Sequence, residues 1–305
     1  FNERNGQLFY WDKTNGVSTR GIELSTLTGT PTSVPQKAAQ VLLSDRDRHV
    51  IVFGADGFGA TSSTAKGDGV QDPMLIRFSD QENISDYTPT STNTAGTFRI
   101  DSGTKIVGAV KGKDYILILT DTSAYVMQFV GPPFTFSIRQ VGSNCGCIGQ
   151  HAITYANGAV WWMGQAGGFF VYDGTVKSVP CLVEDFVFTN KGDNLGISYS
   201  NGEQIYAGLN HLYEEISWFY PKSGSTLIDR VVTYNYTEQT WTTGSLSRTS
   251  WADATLYDNP YATEYVRSGV PTFPTIQGVT DVNGASTYYA HEVGNNEVDA
   301  GGNKT

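Results

Sequence analysis

Short apolar runs alternate with turn residues along nearly the whole chain. β-branched and aromatic residues gather in runs of five or six at residues 49–53, 73–78, 115–119, 124–129, 159–163, 168–172, 204–209, 216–220 and 230–235, each bounded by Gly, Asn, Asp or Pro. That even spacing predicts an all-β fold. Helical periodicity is confined to residues 35–43 and 181–188, each long enough for a turn or two.

A phrase recurs within this pattern: apolar residues, an aromatic, Asp or Asn, then a turn. It reads Phe9-Tyr10-Trp11-Asp12, Phe170-Val171-Tyr172-Asp173-Gly174, and Val232-Thr233-Tyr234-Asn235 followed by Thr240-Trp241. Phe78, Tyr125 and Tyr172 are spaced 47 residues apart, and Tyr234 follows after 62. Periods of about 40 to 50 residues suit a four-stranded blade, and a unit unable to bury its own apolar face must stack on its neighbours. The prediction is an irregular β-propeller of about five or six blades, within the range that closes radially. A β-sandwich with long loops is the alternative. Residues 197–246 show what one blade contains, and the turn between an aromatic strand and Trp241 resembles a kelch blade, whose Trp packs between neighbouring sheets. A single domain over residues 1–305 is expected, as the ordered part of a longer chain, because the sequence opens at Phe1 without Met.

Composition narrows the partners. The chain has 305 residues, 12% aromatic and only 16% charged, with a net charge of -10 and no cluster of Lys or Arg. Gripping nucleic acid depends on neutralising phosphates, so a chain this acidic is a poor holder of DNA, though it can still touch it. No apolar run approaches the roughly 20 residues that span a bilayer. Three cysteines do not make a dense disulfide framework, and they point to synthesis in a reducing compartment. Sequons at Asn83, Asn235 and Asn303 matter only on a secreted eukaryotic chain.

Each candidate for chemistry has a plainer reading. Cys145, Cys147, His151 and Cys181 supply the thiolates and imidazole of a tetrahedral zinc site. Cys-x-Cys on a strand, however, sends its side chains to opposite faces, and free cysteines are usually buried, so no metal or other cofactor is expected. Gly54, Gly57, Gly59, Gly67 and Gly69, near Lys66, evoke a phosphate loop but lack Gly-Lys-Ser/Thr and a following helix, so a mobile surface loop is expected. The pairs Glu214-Glu215, Glu184-Asp185 and His291-Glu292 would suit a glycosidase only if two carboxylates shared a face. Asp12, Asp173 and Asn235 sit where such side chains cap turns. Trp161-Trp162 and Trp218-Phe219-Tyr220 could stack on sugars, but among apolar neighbours they fill space between sheets. The expectation is a protein without enzymatic activity, whose Trp11, Asp12, Tyr172, Asp173, Tyr234, Asn235 and Trp241 form a structural motif.

One ordered set of phrases resembles a known group. Arg77-Phe78-Ser79-Asp80-Gln81-Glu82-Asn83, Asp86-Tyr87-Thr88-Pro89 and Thr92-Asn93-Thr94-Ala95-Gly96 come first. Thr120-Asp121-Thr122-Ser123-Ala124-Tyr125, Gly131-Pro132-Pro133-Phe134, Gly158-Ala159-Val160-Trp161-Trp162-Met163 and the run from Gly168 to Gly174 follow. This order resembles the tail-tube or nozzle structural proteins of tailed, especially short-tailed, bacteriophages, over about residues 75–251. The resemblance implies a virion tail subunit in a ring, expected to be hexameric, below the portal or adaptor ring and near tail fibres, with transient non-specific contact to double-stranded DNA in its lumen. Nozzle proteins of that kind tend to be longer and to carry tip domains. The alternative function is a carbohydrate-binding or glycan-hydrolysing propeller on a tail spike or secreted protein.

Overall fold

A computed structural model describes residues 1–192, 195–253, 260–265, 278–280 and 287–292. The fold is all-β, built from successive four-stranded antiparallel sheets with little helix. By compactness the chain divides into two units, Phe1–Gly146 and Cys147–Thr305.

The first unit opens with the short pair β1 (Phe9–Tyr10) and β2 (Ile22–Glu23). One sheet follows as β3 (Gln40–Leu43), β4 (Val50–Phe53), β5 (Leu75–Phe78) and β6 (Gly96–Arg99). A second runs β7 (Ile106–Lys111), β8 (Ile116–Thr120), β9 (Ser123–Gly131) and β10 (Thr135–Ser143). In each, every strand pairs with the next along the chain. Side chains alternate across a strand, and β4 uses both faces. Ile51 and Phe53 enter a core with Ile76, Phe78, Ile118, Met127 and Phe136, whereas Val52 enters a second core with Leu8, Leu24, Val34 and Tyr87.

The second unit contains β11 (Ile153–Ala156), β12 (Ala159–Met163), β13 (Phe169–Tyr172) and β14 (Val176–Val179). The helix α1 (Glu184–Phe188) leads to β15 (Tyr206–Asn210), β16 (Glu215–Tyr220), β17 (Arg230–Asn235) and β18 (Thr240–Gly244). The last sheet holds β19 (Ser250–Ala252), β20 (Tyr261–Tyr265), β21 (Gly278–Thr280) and β22 (Thr287–Glu292), with β22 between β20 and β21. Tryptophans bolt these sheets together. Trp218 Nε1 donates to Ala152 O (3.1 Å), Trp241 Nε1 to Pro180 O (2.9 Å) and Trp251 Nε1 to Leu209 O (2.7 Å). Each indole lies in one sheet and its acceptor in the neighbouring sheet or the chain beside it, as the kelch-like reading of Trp241 anticipates.

Phe78, Tyr125, Tyr172 and Tyr234, the markers of the sequence period, are all buried, and each occupies the third strand of its four-stranded sheet. Residues 35–43 depart from expectation. Gln40–Leu43 is strand β3, and the chain before it is held open because the buried Asp56 carboxylate accepts from Gln36 N (2.8 Å) and Lys37 N (3.2 Å), a tertiary bond that local helix propensity does not match.

Candidate functional site

The aromatic-acid phrases end in side-chain-stabilised turns. Asp12 Oδ1 accepts from Thr14 N (2.8 Å), and that amide, with the Thr14 hydroxyl, holds the carboxyl below its ordinary range. Asp173 Oδ2 accepts from Lys177 Nζ (2.6 Å), which depresses its pKa in turn. Asn235 Oδ1 accepts from Thr237 N (3.0 Å) and Glu238 N (2.8 Å), while its Nδ2 donates to Tyr213 O (3.0 Å). Trp11 Nε1 donates to Thr19 O (2.9 Å), and the rings of Tyr234 and Trp241 stand 4.4 Å apart. Tyr172 is buried at the end of β13. These residues shape turns and fill sheet interfaces.

The cysteines are placed as unreactive thiols. Cys145 and Cys147 are buried and Cys181 is half-buried. Burial pushes the Cys145 thiol up to about 11, Cys147 to about 12 and Cys181 to about 11. Cys147 Sγ donates to Gly149 O (3.2 Å), and His151 stacks on Tyr206 with ring centroids 5.6 Å apart. Among the described residues no group of three His, Cys, Asp or Glu is placed to hold a metal ion. No helix there is long and apolar enough to cross a membrane.

The glycine-rich loop is stitched down, contrary to the mobile strap expected of it. Gly69 N donates to Asp56 Oδ2 (2.7 Å), while Gly57 N (3.0 Å) and Val70 N (2.9 Å) donate to Asp68 Oδ1. The amides a phosphate would need therefore already face carboxylates. Lys66 pairs with Glu23 at 2.8 Å. Beneath the loop lies Arg77, wholly buried on the face of β5 opposite Ile76 and Phe78. Its guanidinium donates to Ser33 O (2.6 Å), Gly57 O (3.0 Å), Asp56 O (3.2 Å) and Tyr87 O (3.4 Å), with its carbon 4.4 Å from the centre of the Phe58 ring. Burial lowers its pKa to about 10, so it remains a cation at neutral pH.

A second buried polar centre surrounds His49, which is 0% exposed. Its ring meets Phe78 (6.2 Å), Phe129 (6.1 Å) and Phe136 (5.2 Å), and Nε2 lies 3.0 Å from Thr94 Oγ1. Thr94 Oγ1 in turn sits 2.7 Å from Asp80 Oδ1. Neither Arg77 nor His49 stands out in the sequence, since one cation in an apolar strand reads as solvent-facing and one His beside Arg48 reads as surface. His49 and Thr94 lie 45 residues apart.

The acidic pairs form no dyad. Glu184 and Asp185 open α1. Glu214 turns at φ 58° before β16, and burial, helped by the nearby Glu238 charge, raises the pKa of Glu215. His291 and Glu292 belong to β22, and their side chains lie outside the described part of the structure. Asn83 is exposed and bonds Ser85 of its own sequon, Asn235 serves its turn, and Asn303 lies outside the described residues. Trp162 and Trp218 are buried between sheets. A pocket of about 260 Å³ in the second unit is lined by His151, Tyr206, Glu203, Gln204, Ser247 and Thr249, among others. The sequence gives no sign of it, because its walls come from four separate stretches of chain.

No family model and no curated protein matches the chain. Solved structures that align with it include a variant of the apocarotenoid oxygenase of Synechocystis, with 11% identity and a TM-score of 0.41 over 87% of this chain and 62% of that one. The lignostilbene dioxygenase of Pseudomonas brassicacearum aligns at 9% identity and TM-score 0.42, over 87% of this chain and 63% of that one. The AfRom2 CNH domain aligns at 8% and 0.39, over 97% and 89%. The chain spans less than two thirds of either oxygenase. The expectation of a protein without enzymatic activity is corrected here, because enzymes stand among the aligned structures; likeness this distant assigns no particular reaction.

Proposed function

We propose that this chain is a structural subunit of a bacteriophage tail, forming part of the ring through which the genome leaves the particle. What supports the reading is the ordered run of phrases that resemble those of tail proteins, spread over consecutive sheets. Residues 77–83 lead out of β5, 120–125 join β8 to β9, 131–134 form the tip of the β9–β10 hairpin, 158–163 enter β12 and 168–174 span β13. Hairpin tips also present apolar side chains suited to subunit contact, with Val130 and Phe134 exposed at one and Leu212 and Tyr213 at another. The charge of -10 suits a conduit that repels phosphate and lets a duplex slide. On this reading the partners are five sister copies, a portal or adaptor ring and tail fibres, and the location is the virion tail. Sedimentation and electron microscopy of the purified chain test it. A closed ring of copies is expected, and a monomer at every concentration would overturn it.

A second reading is favoured by one observation, the His151–Tyr206 stack beside the 260 Å³ pocket with its carboxylate, amide and hydroxyl groups. Aromatic faces flanked by polar groups are what a pyranose ring requires, so this reading is glycan binding. Saturation-transfer NMR with glucose, galactose and N-acetylglucosamine decides it. Transfer abolished by Tyr206→Ala supports the site, and no transfer to any of the three removes it.

A further inference from the structure

The hydrogen bonds around Thr94 fix the proton on His49. A threonine hydroxyl has one proton to give and two lone pairs. Burial works against an ionised Asp80, but the amide and hydroxyl of Thr94 outweigh it and hold that carboxyl below its ordinary pKa, so Asp80 can only accept. The Thr94 proton therefore goes to Asp80 Oδ1 (2.7 Å), and Gln81 N (2.9 Å) donates into one Thr94 lone pair. At 3.0 Å, His49 Nε2 must donate into the other. That leaves Nδ1 as a bare lone pair, buried and without a hydrogen-bond partner.

The same threonine holds the distal β9–β10 hairpin. Strand β8 begins at Ile116, opposite Met127, so residues 128–137 extend past it as a two-stranded arm. That arm is fastened by Phe129 and Phe136 against the His49 ring and by Thr135 Oγ1 donating to Thr94 O (3.1 Å).

We propose that His49 is an acid-sensitive latch: its protonation at Nδ1 loosens residues 128–137 from the Thr94 loop and frees an arm bearing Val130 and Phe134. A second proton on the ring would place an N–H⁺ among three phenylalanine rings with no acceptor in reach. The charges facing the ring are Asp47 from its own loop and Asp80 from the loop after β5. On the hairpin side stands Arg46, its guanidinium carbon 5.9 Å from the Phe129 ring centre. The two carboxylates favour the proton, but burial outweighs them and lowers the pKa below the ordinary 6.5. The docked arm thus binds fewer protons than the released one. Docking is at full strength above pH 6.5, weakens by about tenfold per pH unit below it, and levels off beneath the depressed pKa. The latch stands apart from both functional readings above.

Hydrogen-exchange mass spectrometry at pH 7.5 and 5.0, normalised to the unfolded chain at each pH, tests it. Protection of residues 128–137 is expected to fall at pH 5.0 relative to residues 159–163, by at most about thirtyfold given the roughly 1.5 pH units below the ordinary histidine value. His49→Gln keeps a donor near Thr94 without titrating and should show equal protection at both pH values. Unchanged protection in the native chain, or the same fall in His49→Gln, overturns the latch. Should that variant fail to fold, ¹⁵N spectra of the native chain decide. The Nε2–H tautomer with a pKa below 6.5 supports the proposal, and the Nδ1–H tautomer or a pKa of 6.5 or above overturns it.

Discussion

Arg77 stays charged where no water reaches it because the Asp56 charge lies near, four backbone carbonyls accept from its terminal nitrogens and a phenylalanine face covers it, although its Nε has no hydrogen-bond partner. Removing it strands those carbonyls. Arg77→Met should cost about 3 kcal/mol or more in urea unfolding, since a buried polar cluster that loses one partner forfeits its desolvation. Arg77→Lys should recover only part, because an ammonium cannot span the same fork. A loss under about 0.5 kcal/mol for Arg77→Met would show that the cage contributes little to stability. The thiols yield a second expectation. With values near 11 and 12, Cys145, Cys147 and Cys181 hold little thiolate at pH 8, so iodoacetamide should label the folded chain at least about tenfold more slowly than the chain in urea. At this scale the sequence is least legible. Asp12 and Asn235 are readable as turn residues because their bonds are local, whereas Arg77 acquires its role from Ser33 and Tyr87, brought to it by folds of chain that no local pattern reports.

Strands are more legible than sites. In the four sheets from β3 to β18 the third strand carries a buried aromatic, at intervals of 47, 47 and 62 residues, so the period survives in the sequence over the first three. The fourth strands are poorly marked: β6 reads Gly-Thr-Phe-Arg and β14 Val-Lys-Ser-Val, with at least two of four positions polar or glycine, as suits an edge half in water. The tryptophan bolts are testable. Trp218→Ala should cost about 3–5 kcal/mol, combining a large cavity with an unpaired Ala152 carbonyl, and Trp218→Phe less. Equal losses for both would mean that the indole N–H adds nothing to the ring. Gly208 tests the next interface, because a Cβ there would stand 2.7 Å from Trp251 Cγ. Gly208→Ala should therefore break the Trp251–Leu209 bond and shift the tryptophan emission, while an unchanged spectrum and midpoint would show that the sheets absorb a methyl group freely.

Charge is a property of the whole chain, and its consequence is measured on the whole chain. With ten more acidic than basic residues, the protein should show no retention of duplex DNA in a mobility-shift assay at about 0.15 M salt. A complex that persists at that salt would require a basic patch and would remove the sliding-conduit argument. Sheets made from consecutive strands carry a different consequence, for biosynthesis. In the sheets from β3 to β18 strands pair with their neighbours in sequence, so the pairings stay local in the chain even where the connection is long, as at residues 54–74 and 79–95. A nascent polypeptide can therefore finish one sheet while the ribosome is still translating the next, and the indole that bolts the pair arrives only with the later one.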